Sequence, residues 1–146
     1  MRRKALMDWK LELVVIPVAD VDRAKKFYAE DVGFTLDYDR GNGEDFRLVQ
    51  LTPKGSGCSV AVGLGITDAA PGSARELHLV VPDIEAARAE LAGRGVDISQ
   101  ARHLGPDGWA PGPDPGRRDY NSVADFRDPD GNTWIVQERG HWVPSR

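Results

Sequence analysis

Leu13-Val14-Val15-Ile16-Pro17, followed by Val18-Ala19-Asp20-Val21-Asp22-Arg23-Ala24, returns further along the chain as His78-Leu79-Val80-Val81-Pro82, followed by Asp83-Ile84-Glu85-Ala86-Ala87. Both runs are rich in residues that suit a pleated strand, and both stop at a proline, which cannot donate to a ladder. An aspartate comes next in each case. Asp20 precedes Val21, Ala24 and Tyr28, and Asp83 precedes Ile84, Ala87 and Leu91, spacings that put one apolar stripe on a helix. A carboxylate at that place caps a helix well, because it accepts orphan amide hydrogens and meets the positive end of the helix dipole.

The agreement continues outward from these segments. Glycines close both helices, Gly33 in the first copy and Gly93 with Gly95 in the second. Strands are predicted at Phe34–Tyr38, Phe46–Leu51 and Ser59–Gly63, and again at Val96–Ser99, Ser122–Arg127 and Thr133–Glu138. The last pair is joined by Asp128-Pro129-Asp130-Gly131-Asn132, where proline presets a bend and glycine permits positive φ, and Thr52 to Gly57 is its looser counterpart. The chain therefore reads as a single domain, residues 1–146, with module one at about 10–65 and module two at about 76–138. The copies differ in one segment. Module two inserts Gly105 to Asp119, with four prolines, where module one makes do with Asp39 to Glu44. Such a stiffened loop can be a lid that holds Trp109 over a cavity, or a plain surface loop.

Composition narrows the function classes. A chain of 146 residues can bury roughly two thirds of its unfolded surface without covalent staples. Its hydrophobic share of 40% and charged share of 29% are those of a globular protein. No apolar run approaches the roughly 20 residues of a spanning helix, and the basic start MRRKALMDWK lacks the apolar stretch of a secretion signal. A cytoplasmic protein without membrane contact is expected. The lone Cys58 makes neither an internal disulfide nor a multi-cysteine zinc site. A net charge of −4 with interspersed signs offers no phosphate-binding face, so nucleic acid is not an expected partner. Arg117 with Arg118, His103 and His141 are read as solvated loop and tail.

IPVADVDRAKKFY, LHLVVPDIEAARAEL and FRDPDGNTW together resemble the vicinal oxygen chelate superfamily, also called glyoxalase/bleomycin resistance/dioxygenase proteins, from about Lys10 to Glu138. The resemblance implies an α+β fold of two βαβββ modules forming a cup-shaped mixed sheet around a small-molecule pocket, commonly completed by a second subunit. It does not imply one reaction, since the family holds isomerases, lyases, dioxygenases, thiol transferases and proteins that only bind antibiotics.

In metal-dependent members the resemblance implies one ligand on the first strand and one carboxylate on the last strand of each module, all facing the cup. Those places fall on Leu13 and His78, on Ile135, and on Ala61 or Ser59. A single possible ligand remains. Glu12 and Glu138 alternate onto the opposite face, and Gln137 is a poor substitute for a carboxylate on a hard cation. No metal and no cofactor is expected. What remains is an apolar cup of Leu13, Val15, Ala61, Val80 and Ile135 with a few polar points, a composition suited to binding. The expected ligand-binding set is Leu13, Tyr38, Phe46, Gln50, Ser59, His78, Trp109, Tyr120, Ile135 and Gln137, while Trp134 is read as core. The reading favours a homodimeric protein that sequesters a hydrophobic or aromatic natural product, as antibiotic-resistance members do. An enzyme with displaced metal ligands, a metal-free one with His78 as base, and a module with a filled, vestigial cup stay open as alternatives.

Overall fold

The computed structural model describes residues 5–141. The first module contains β1 (Leu13–Val15), α1 (Val21–Lys26) running on as a π-helical segment (Phe27–Val32), β2 (Thr35–Gly41), β3 (Arg47–Thr52) and β4 (Ser59–Leu64). The second contains β5 (Leu77–Val81), α2 (Ile84–Gly93), β6 (Arg102–Gly105), β7 (Gly108–Pro111), β8 (Ser122–Arg127) and β9 (Thr133–Glu138). The strands form a four-stranded sheet in the order β1-β4-β3-β2 and a five-stranded sheet in the order β5-β9-β8-β6-β7. The first strand of each sheet runs parallel to the last of its module, and the other pairings are antiparallel. This is the α+β arrangement of two βαβββ modules. Among the described residues no helix is long and apolar enough to cross a membrane.

The twin caps form as the sequence implies: Asp20 accepts from the Arg23 amide and Asp83 from the Ala86 amide, each at 3.1 Å. Gly33 closes the first helical segment in the left-handed region, at φ 92°, which an L side chain rarely adopts.

Module two departs from the expected strands. Val96–Ser99 is not a strand; Ser99 instead bonds Asp125, backbone to backbone at 2.9 Å and hydroxyl to carboxylate at 3.0 Å. The strand falls later, at β6. The inserted segment is also no free loop, because Pro106 and Asp107 turn it back into β7, which adds a fifth strand at the sheet edge, where Pro111 costs no ladder bond. The rest of the insert is tied to buried carboxylates. Arg118 forks onto Asp114 at 2.8 and 2.9 Å, and the Asp114 amide donates to Ser122 Oγ at 2.9 Å. Arg117 grips Glu138. Arg117 is thus a half-buried anchor and not the solvated residue expected, whereas Arg118 holds Asp114 from a position that is exposed, as expected.

One core serves both halves. Ile16, Val49, Leu51, Val60 and Val62 from the first sheet pack with Ala124, Phe126, Trp134 and Val136 from the second, and with Ala24, Phe27, Tyr28, Ile84 and Leu91 of the helical segments. Each such aliphatic side chain contributes roughly 1.5–3 kcal/mol on burial. Tyr28 crosses the seam: its ring lies 5.7 Å from that of Trp134, and its hydroxyl donates to Asp128 at 2.7 Å and accepts from the Trp134 indole at 2.9 Å. Burial, reinforced by the Asp128 charge, holds the phenol far above its ordinary range, so it stays a donor. Asn132, in the same turn as Asp128, donates to the Pro17 carbonyl of the first module at 2.8 Å. Because both sheets turn their helix-bearing faces to this core, each has an opposite, open face that points away from it.

Candidate functional site

Register places the expected ligand-binding residues on those open faces. On the first sheet, Leu13 pairs with Ser59, Val15 and Gln50 with Ala61, and Tyr38 with Gln50. Tyr38 donates its hydroxyl to Gln50 Oε1 at 2.8 Å, and the hydroxyls of Thr52 and Ser59 lie 2.7 Å apart. On the second sheet, His78 pairs with Ile135 and Val80 with Gln137. His78 Nδ1 lies 2.8 Å from the Glu76 carbonyl, and Gln137 donates to the Tyr120 carbonyl at 2.8 Å. Trp109 stands on the edge hairpin, opposite Leu104.

The candidates thus fall into two groups, one per sheet. Leu13, Tyr38, Gln50 and Ser59 form one; His78, Trp109, Tyr120, Ile135 and Gln137 form the other. Within one chain neither group covers the other, and Val80, Trp109 and Tyr120 are 54%, 62% and 53% exposed. The apolar helix stripes seal the opposite faces of the sheets instead, so the single chain does not enclose the expected pocket. Phe46 stands apart from both groups, beside Gly41 and Leu64 in a depression of about 550 Å³ at the hairpin end. Trp134 is core, as read from the sequence.

The parallel ladders also settle which residue of module one matches Ile135. Leu13 faces Ser59 as His78 faces Ile135, so Ser59, and not Ala61, is the equivalent. The four positions where the fold family implies a metal are then Leu13, Ser59, His78 and Ile135. One imidazole, one hydroxyl and two aliphatic groups do not fit a divalent cation, which calls for several carboxylates, imidazoles or thiolates.

Asp83, Glu138 and His141 also lie close enough together to suggest a cation. Glu138 is fully buried, however, and its oxygens are occupied by Arg117 Nε at 2.9 Å and the Ile84 amide at 3.0 Å. Burial pushes this carboxyl upward, and the bonds from Arg117 and Ile84 outweigh it, leaving it below its ordinary range. The cluster already holds a guanidinium and works as an anchor. His141, expected in a solvated tail, is half-buried beside it, 3.1 Å from the Pro82 carbonyl. His103 is likewise placed on β6, 2.7 Å from the Gly112 carbonyl.

A depression of about 300 Å³ marks the open face of the second sheet, with Ile135 and Thr133 in its floor and Arg102, Asp125 and Arg127 along its side. Sequence reading missed these three charged residues. The alternation in Ser122–Arg127, which puts Val123, Asp125 and Arg127 on one side, was the available signal.

The family model for the Glyoxalase/Bleomycin resistance protein/Dioxygenase superfamily matches residues 10–136. The chain belongs to this superfamily. Among solved structures, this superfamily member is similar to TnmS3, an antibiotic binding protein from Streptomyces sp. CB03234, at 32% identity and a TM-score of 0.71, over 92% of this chain and 98% of that one. A glyoxalase/bleomycin resistance protein from the same Streptomyces is 34% identical, with a TM-score of 0.67, over 88% and 99% of the two chains. A superfamily member from Sphaerobacter thermophilus DSM 20745 is 28% identical, with a TM-score of 0.70, over 92% and 100%. No curated protein matches.

Proposed function

We propose that this superfamily member is a small-molecule binding protein that sequesters a hydrophobic or aromatic natural product in the manner of antibiotic resistance, without metal chemistry. The observation that carries the reading is the donor set: the family's metal positions hold Leu13, Ser59, His78 and Ile135, with no carboxylate among them. Apolar walls with a few oriented polar groups, such as Gln50, Gln137 and His78, suit capture. The likeness to an antibiotic binding protein supports the same reading.

The protein acts as a cytoplasmic homodimer in this proposal. Neither open face is covered within one chain, and a symmetric pair would bring the first-sheet group of one protomer against the second-sheet group of its partner. Sedimentation equilibrium tests this; a monomer across the accessible concentration range would contradict it.

Calorimetric titration with a panel of aromatic and polycyclic antibiotics tests the binding itself. At least one compound should bind stoichiometrically, and uniform absence of heat or displacement contradicts the reading. A second reading, a metal-free enzyme, is favoured by one observation: His78 faces an open side, bonded among the described residues through Nδ1 alone. In that case His78→Ala would abolish turnover of the bound compound while the fold persisted.

A further inference from the structure

We infer that the ligand taken by the open faces is a planar aromatic anion, carrying a carboxylate or an ionised phenol; this rests on the binding reading above and adds the charge class. The chain as a whole is acidic, at −4, yet its open faces gather arginine. Arg40 shares the open side of β2 with Tyr38, since its ladder partner Leu48 alternates with Gln50. Arg102 lies opposite Val123, and Arg127 opposite Thr133. Arg139 follows Gln137 by two residues and extends the ladder, its amide bonding the Val81 carbonyl at 2.9 Å.

Three of the four lie on aromatic rings: Arg40 at 4.8 Å from the centre of Tyr38, Arg102 at 5.7 Å from Trp109 and Arg139 at 5.8 Å from Tyr120. A guanidinium on a ring has shed water from one face and still offers its fork of N–H groups at the edge. A planar anion matches both features, because its rings extend the stack and its oxygens accept the fork.

The depression on the second sheet shows which guanidinium is available. Three arginines, Arg75, Arg102 and Arg127, face two carboxylates, Glu76 and Asp125. Asp125 is spent on Arg102 at 2.7 Å and Ser99 at 3.0 Å. Arg75 is spent on the carbonyls of Gly72, Ala74 and Gly131. The Arg127 guanidinium has no hydrogen bond or ion pair among the described residues. On the first sheet the carboxylate on the open side, Asp37, is bonded by Thr52 and Gln50, which leaves Arg40 unpaired there as well.

The test is fluorescence titration of the full chain with a matched set: anthracene-2-carboxylate, its neutral carboxamide and the cationic 2-(aminomethyl)anthracene, at low and high ionic strength. The carboxylate should bind about tenfold tighter than the carboxamide at low salt, the amine weakest, and the preference should shrink as salt screens the charge. Arg127→Gln should bring the carboxylate down to the carboxamide's affinity with the melting temperature unchanged. Equal affinities for the three, or preference for the amine, overturn the charge class while the binding reading stands. A carboxylate preference that survives Arg127→Gln, Arg40→Gln and Arg139→Gln overturns the assignment to these arginines. Failure of all three compounds to bind the folded protein overturns this inference, whereas the binding reading falls only if the antibiotic panel also gives no heat or displacement.

Discussion

The two modules share one plan and one register but differ in what they build beyond β2 and its counterpart β6. In the first module the connection is a tight turn in which Asn42 accepts the amides of Glu44, Asp45 and Phe46 at 2.9 to 3.1 Å. Its charges, Arg47 with Asp39 and Asp22, lie within reach of water. In the second module the same place carries an added strand and a segment held by two fully buried carboxylates, Asp114 and Glu138. Water can replace a lost partner at the first cluster and cannot do so at the second. The repeat thus sets the frame, and the open faces with the edge connection are where the second copy has gained arginine, tryptophan and its anchors.

The largest expected effect breaks that contrast directly. Arg117→Ala leaves Glu138 buried without its guanidinium and should lower the unfolding free energy by about 2–4 kcal/mol in a denaturant titration. Arg47→Ala, in the exposed cluster, should cost about 1 kcal/mol or less. Equal losses would erase the distinction between the modules. Acid should expose the same groups. The guanidinium of Arg118 beside Asp114, and that of Arg47 together with the Lys25 ammonium beside Asp39, hold these carboxyls well below their usual range; Glu138 is also lowered, on the causes given above. The unfolded chain therefore binds more protons, so their contribution is complete above about pH 5 and is lost as pH falls through about 4 and below. Arg117→Ala should make that acid limb shallower, and stability that rises on acidification would contradict the assignment.

A middling effect is expected at the seam between the modules. Tyr28→Phe removes the hydroxyl that bridges Asp128 and Trp134 and should cost about 1–3 kcal/mol in thermal or chemical unfolding, with ligand affinity unchanged because both open faces are untouched. The smallest effect separates the twin caps. Asp20→Ala and Asp83→Ala should each cost about 1 kcal/mol, with Asp83 the more costly by a few tenths, because Arg117 lies 3.5 Å from its carboxylate. The reverse order would mean that the anchor stops at Glu138.

The sequence made the frame legible because repeated patterns leave local marks: the two prolines, the capping aspartates and the DPDGN turn each specify backbone geometry without help from distant residues. The faces of the strands that were placed correctly were legible for the same reason, since alternation fixes them, and Glu138 does lie on the other face of β9 from Ile135 as alternation requires. The insert was not legible. Its prolines signal stiffness, but the bonds that hold it, from Arg118 to Asp114 and from Arg117 to Glu138, join residues whose burial only the folded chain reveals. Arg127 was overlooked because charge at a strand end ordinarily means solvent. That the modules join through their helix-bearing faces was hidden too, since Tyr28 and Trp134 each read as ordinary core of their own half.

The most direct test of binding without metal chemistry is calorimetry against the aromatic antibiotic panel before and after exhaustive dialysis with a chelator, with divalent cations then restored. At least one compound should bind stoichiometrically, with the same affinity in all three states. Binding or turnover that disappears with the chelator and returns with the cation would contradict it.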